Sequence, residues 1–146
     1  MTRKKKYDDK MICALGDFEE LSRIRKFVYS QAMNCGFKDE EAQKICLAVD
    51  EACSNLIRHA FHFDRSKEIC IQVEFAKKLF TVSIIDEGIP FDPLSVETPN
   101  MSEYFKQYRK GGLGIQLMRK VMDEIDYSPS DDKHPRNVLK LKKALQ

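Results

Sequence analysis

No apolar run in this chain approaches the roughly 20 residues that a membrane-crossing helix needs, and no low-complexity tract or internal repeat is present. The start, Met1-Thr2-Arg3-Lys4-Lys5-Lys6, is basic but has no apolar stretch behind it, which predicts no secretory signal, no membrane partner and a cytoplasmic protein. A large excess of one charge sign is missing too. Lys and Arg number 25 against 23 Asp and Glu, a net +2. That balance does not suit the broad positive surface that binds nucleic acid by releasing counterions. The basic start reads as a solvated arm over residues 1–10 and is assigned no function.

A C-x-x-C pair is also absent, and the cysteines (Cys13, Cys35, Cys46, Cys53 and Cys70) are odd in number. Both facts argue against a disulfide framework and a zinc site, and predict reduced, mostly buried side chains. His59 and His62 are three apart, but no third ligand stands at a suitable spacing, so zinc is not expected.

What is present suits one soluble globular domain over residues 11–146. The chain has 146 residues, 42% of them hydrophobic and 33% charged, enough for a single core. Residues 11–16 read as a short strand closed by Gly16, and Asp17 with Glu20 as an acidic capping box opening a helix. That helix has Phe18, Leu21, Ile24, Phe27, Val28 and Met33 as its core stripe and ends at Cys35-Gly36. Asp39 is expected to cap a longer helix with Ala42, Ile45, Cys46, Val49, Ala52, Cys53, Leu56 and Ala60 on its apolar side.

The period then changes from 3.6 to 2. Ile69, Ile71, Val73 and Phe75 alternate with polar positions, Lys77-Lys78 turns the chain, and Leu79 to Asp86 returns, which predicts a hairpin. Glu87 to about Gly111 reads as a long loop with a helical turn near Met101 to Tyr108. A helix from Gly112 to about Asp123, with Leu113, Leu117 and Val121 on one side, precedes strands near Glu124–Ser128 and Asn137–Leu141. Helices grouped beside a mixed, mostly antiparallel sheet predict an α+β fold, a two-layer α/β sandwich with helices on one face.

Three segments carry chemistry. In Asp50-Glu51-Ala52-Cys53-Ser54-Asn55-Leu56-Ile57-Arg58-His59-Ala60, Glu51 and Asn55 stand one helical turn apart. A glutamate can accept a hydroxyl proton, and an amide oxygen can complete the shell of a phosphate-bound magnesium ion. By helical angle alone, Glu51, Asn55, Arg58 and His62 equally fit a solvated polar face. In Asp86-Glu87-Gly88-Ile89-Pro90-Phe91-Asp92-Pro93, the parity of Phe80, Val82 and Ile84 points Asp86 to the buried side. A buried carboxylate needs donors, and the exocyclic amine of adenine is one, with Gly88 letting the base approach the backbone. The plainer alternative is an aspartate tying down its own turn. In Arg109-Lys110-Gly111-Gly112-Leu113-Gly114, glycines lead into a helix whose free N–H groups attract phosphate, and the two cations could meet a terminal phosphate.

In this order and at these separations, E-A-x-x-N, D-E-G-x-P-F-D-P and G-G-L-G-I-x-L-M resemble the GHKL superfamily of ATPases and kinases, and within it the anti-sigma-factor serine kinases. The resemblance spans roughly residues 11–145 and implies a Bergerat-type ATP-binding fold with ATP and Mg2+ as cofactors. It makes Glu51 the general base, Asn55 the magnesium ligand, Asp86 the adenine reader and Gly88 part of the adenine pocket. Gly112 and Gly114 become the phosphate lid, and Arg58, His59, Pro90, Phe91, Arg109, Lys110, Gly111 and Leu113 further binding positions. It also implies a homodimer that sequesters a sigma factor and phosphorylates a serine or threonine of a STAS-domain anti-anti-sigma partner. The alternative is a nucleotide-dependent partner-binding module, or an ATPase without kinase activity. Two departures from the pattern are Leu56 in place of a small alanine and a turn, Lys133 to Asn137, that lacks glycine.

Overall fold

The computed structural model describes residues 10–95 and 110–146, and of residues 110–113 the backbone alone. The expected arm up to residue 9, the helical turn near Met101 to Tyr108, and Arg109 therefore lie outside the described residues.

Among the described residues, five strands form one sheet: β1 (Met11–Leu15), β2 (Glu68–Ala76), β3 (Leu79–Asp86), β4 (Glu124–Ser128) and β5 (Asn137–Ala144). Their spatial order is β1-β2-β3-β5-β4. Every pairing is antiparallel, so the expectation of a partly mixed sheet is corrected. Among the described residues, three α-helices, α1 (Leu21–Cys35), α2 (Asp39–Asn55) and α3 (Lys110–Val121), cover one face. The β2–β3 turn is made by Lys77 and Lys78 at φ 53° and 63°, the left-handed pair whose twist matches a hairpin.

Alternation along the strands decides which residues meet the helices. Ile69, Ile71 and Val73 of β2, Phe80, Val82 and Ile84 of β3, and Leu139 and Leu141 of β5 are buried against Ile24, Val28, Ile45, Val49 and Cys53. Phe37, just past α1, meets Phe80 edge-on at 5.4 Å. Gly36 closes α1 at φ 111°, a left-handed cap that glycine takes without strain.

Local expectations were revised in several places. Asp17 accepts the Glu19 N–H at 3.1 Å and caps a 3-10 turn (Phe18–Glu20), so α1 begins only at Leu21. That shift leaves Phe18 exposed, and Met33 stands one residue beyond the buried line Leu21, Ile24, Val28 and Ala32, also exposed. Lys38 takes the cap position of α2, while the Asp39 carboxylate accepts from the Tyr29 hydroxyl and the Gln43 amide. Helix α3 begins at Lys110, so its glycines lie in the first turns, and its buried side runs through Ile115, Met118 and Val121 with Leu117 only half-buried.

The cysteine expectation is overturned at two positions. Cys13 and Cys70 are bonded in a disulfide, while Cys35, Cys46 and Cys53 are thiols. Counting cysteines cannot reveal this pair. The β1–β2 register sets Cys13 directly opposite Cys70 across 57 residues of sequence.

Candidate functional site

The last turns of α2 carry Glu51 and Asn55; Asn55 turns toward the sheet, where it lines a cavity with Ile84, Asp86 and Leu139, and Glu51 lies against Gly114 of α3. Asn55 is 2% exposed, so the solvated-face reading does not hold for it. Among the described residues, neither its Nδ2 nor its Oδ1 has a partner, and Glu51 Oε2 is likewise buried and unpaired. An unpaired buried polar group costs about 1–3 kcal/mol, and three orphan atoms on adjacent turns mark where a polar ligand belongs. Burial raises the Glu51 carboxyl above its usual range; nearby Arg58 partly offsets this and Asp50 adds to it. A raised carboxyl holds a proton more readily than an ordinary glutamate, which is the direction that suits a general base.

Gly114 meets this carboxylate from α3. A Cβ on Gly114 would overlap the Glu51 carboxyl group, so glycine is what lets that side chain keep its place against α3. The third motif is thus brought onto the first.

After Asn55 the helix loosens into a π-turn, Leu56–Ala60, with the Phe61 N–H donating to Leu56 O at 2.8 Å. Such turns recur at functional sites because the extra residue re-aims the side chains that follow. Here it exposes His59, whose ring stacks on Phe91 at 4.8 Å and 21° and so joins the first motif to the second. It also drives the Phe61 ring against Gly88. A Cβ on Gly88 would lie 2.8 Å from that ring and 3.2 Å from Asp86 Oδ1, so packing within the protein already demands glycine there. Arg58 places its guanidinium 5.4 Å from the Phe18 ring centroid, and His62 and Pro90 are exposed.

Asp86 ends β3 on the buried side, 3% exposed, as strand parity predicts. Its Oδ1 accepts the Gly88 N–H at 2.8 Å and the Asn137 amide at 3.1 Å. Oδ2 has no hydrogen-bond partner among the described residues. Burial raises the Asp86 carboxyl, the bonds from Asn137 and Gly88 pull it back, and Glu87 adds a small rise. One oxygen thus fixes the group and the other remains for a donor. The cavity it lines, with Ala52, Asn55, Phe91, Tyr127 and Leu139, has about 10 Å³, the room of about one water. A purine base exceeds this space as it stands.

Two residues of this site were missed in the sequence. Asn137 is 1% exposed; besides Asp86 it donates to Gly88 O at 2.9 Å and accepts from Ser130 N–H at 2.7 Å. The Tyr127 hydroxyl accepts the Phe91 N–H at 3.0 Å. Asn137 shares parity with Leu139 and Leu141, and Tyr127 with Ile125, so alternation marks both as inward-facing.

The residues fit the groups that the sequence motifs imply. Among the described residues, Asn55 Oδ1 is an unpaired oxygen of the kind a magnesium shell takes, the Asp86 bonds from Gly88 and Asn137 both fall on Oδ1, and Gly114 of α3 lies against the Glu51 carboxyl group. Residues 16–143 match the family model described as the histidine kinase-like ATPase domain. The chain belongs to that family. It is 33% identical over 113 residues to the serine-protein kinase RsbW of Bacillus subtilis, covering 73% of this chain and 69% of the relative. It is 26% identical over 103 residues to the anti-sigma F factor of Clostridium perfringens, covering 70% and 74%. The fold matches a chain in the crystal structure of the SiaB-SiaC complex from Pseudomonas aeruginosa with a TM-score of 0.59, at 15% identity and covering 99% and 96%.

Proposed function

We propose that this ATPase-family chain is a cytoplasmic serine/threonine kinase that uses Mg-ATP to phosphorylate a STAS-type anti-anti-sigma protein and, as a homodimer, sequesters a sigma factor. The observation that carries this reading is the buried, unpartnered set of Glu51 Oε2 and both amide atoms of Asn55, one turn apart, with Asn55 and Asp86 lining one cavity. When bound, ATP supplies the γ-phosphoryl group and the magnesium ion neutralises charge on it. The chain's own contributions are separate. Asp86 accepts the amine of the base through Oδ2, and Asn137 holds that carboxylate in place. Asn55 offers its amide oxygen to the metal, and the glycine-bearing start of α3 offers N–H groups to phosphate. Glu51, partly desolvated, accepts the proton of the incoming hydroxyl.

The test is labelled ATP incubated with the protein, Mg2+ and candidate STAS-domain proteins. The expected result is label on a partner serine or threonine, falling at least about 100-fold in Glu51→Gln while ATP affinity holds. Binding of ATP without label on any partner would instead make the chain a nucleotide-dependent binding module.

A further inference from the structure

The face of the sheet turned away from the helices carries the Cys13–Cys70 bond. Ala14 and Ile12 on β1, and Ile69 and Ile71 on β2, point to the helices, so Cys13 and Cys70 take the opposite parity, and both are half-buried. Their Cα atoms are 4.1 Å apart, in the range of the closer, non-hydrogen-bonded cross-strand pairs where side chains are nearest. Strand β1 is an edge strand, held by β2 alone among the strands, and it leads through the Gly16 N–H bond to Lys67 O (2.6 Å) toward α1. A covalent bond at this point braces one of the two edge strands of the sheet.

The other cysteines behave differently. Cys53 is fully buried and Cys46 nearly so. Burial pushes the Cys46 thiol up to about 11 and the Cys53 and Cys35 thiols up as well. All three are held as thiols, poor in the thiolate that reacts. On the cytoplasmic reading proposed above, the chain works in a reducing compartment, where a disulfide is characteristically transient.

We propose that Cys13 and Cys70 form a reversible thiol–disulfide site, oxidised by small-molecule disulfides of the glutathione class, that staples β1 to β2 while the remaining cysteines stay reduced. In the forward step one thiolate attacks a sulfur of glutathione disulfide and expels glutathione thiolate. The second thiolate then attacks the mixed disulfide and expels another. Two protein thiols lose two electrons and two protons, and one glutathione disulfide becomes two glutathione thiols.

The experiment uses the full chain, reduced and then equilibrated with glutathione disulfide. Titratable thiols under denaturing conditions fall from the five in the sequence to the three of the structure, the mass drops by about 2 Da through loss of two hydrogens, and peptide mapping links Cys13 to Cys70. Closing so long a loop raises the melting temperature on the order of 10 °C, and dithiothreitol reverses it. Cys13→Ser and Cys70→Ser replace half-exposed side chains, so both fold, melt like the reduced protein and gain nothing from the oxidant. Five remaining thiols, stable glutathione adducts in place of the cross-link, or a link through Cys35, Cys46 or Cys53 would each overturn the proposal.

Discussion

Replacing Asp86 with asparagine tests the base pocket with almost no change of shape. In the native site Oδ1 accepts from both the Gly88 N–H and the Asn137 amide. An asparagine must keep its oxygen on that side, because the reverse orientation sets its NH2 against two donors. The amide nitrogen then replaces Oδ2 and meets the adenine amine donor to donor. Loss of a charge-assisted bond costs about 1.5–3 kcal/mol, and facing two donors adds about 1 kcal/mol. The sum, about 3 kcal/mol, is roughly a 150-fold weaker ATP affinity. Stability should move the other way or not at all, since the substitution removes a carboxylate that burial disfavours. Isothermal titration with Mg-ATP and a thermal melt give the two readings. Affinity within about twofold of the parent would refute adenine readout by Asp86, whereas a parallel collapse of the melt would show the loss to be unfolding.

Other substitutions address the remaining parts of the site. Phosphoryl transfer should fall on the acid side with an apparent pKa above the ordinary glutamate value of 4.5, because burial raises Glu51. The folded state binds that proton more tightly than the unfolded chain, so protonation of Glu51 favours folding and the acid loss is not unfolding through this group; a pH–rate profile paired with circular dichroism checks both. Gly114→Ala should gain helix propensity of about 0.5–1 kcal/mol yet lower transfer at least about tenfold, because the new Cβ pushes aside the Glu51 carboxylate. Single-turnover rates beside a melt distinguish that from ordinary destabilisation. Asn137→Ala removes the side-chain atoms that serve Asp86, Gly88 O and Ser130 N–H; urea titration should show a loss of about 3 kcal/mol, with weaker ATP binding.

The parts of this site set by periodicity were legible in the sequence. The parity of Phe80, Val82 and Ile84 carried Asp86 inward, and the expected stripe Ala42, Ile45, Cys46, Val49, Ala52, Cys53, Leu56 and Ala60 is buried along α2 and the π-turn after it, while Leu47, off that stripe, is exposed. Glu51 and Asn55 read as neighbours one turn apart, but their helix face read as solvated, because an angle on a helix does not say what lies across from it. Only the sheet and α3 closed that face. The caps shifted for a related reason: Asp39 had the right chemistry to cap α2, but Tyr29 and Gln43 claimed its carboxylate.

The sequence by itself determined the order of elements, the inward carboxylate and the three motifs, since each depends on residues within a few positions of one another. Tertiary structure alone decided that Gly114 rests on Glu51, that Asn137 holds Asp86 across 51 positions, and that Cys13 meets Cys70. Those pairings follow from strand register and helix packing, which bring distant residues together through long-range burial that no local period encodes.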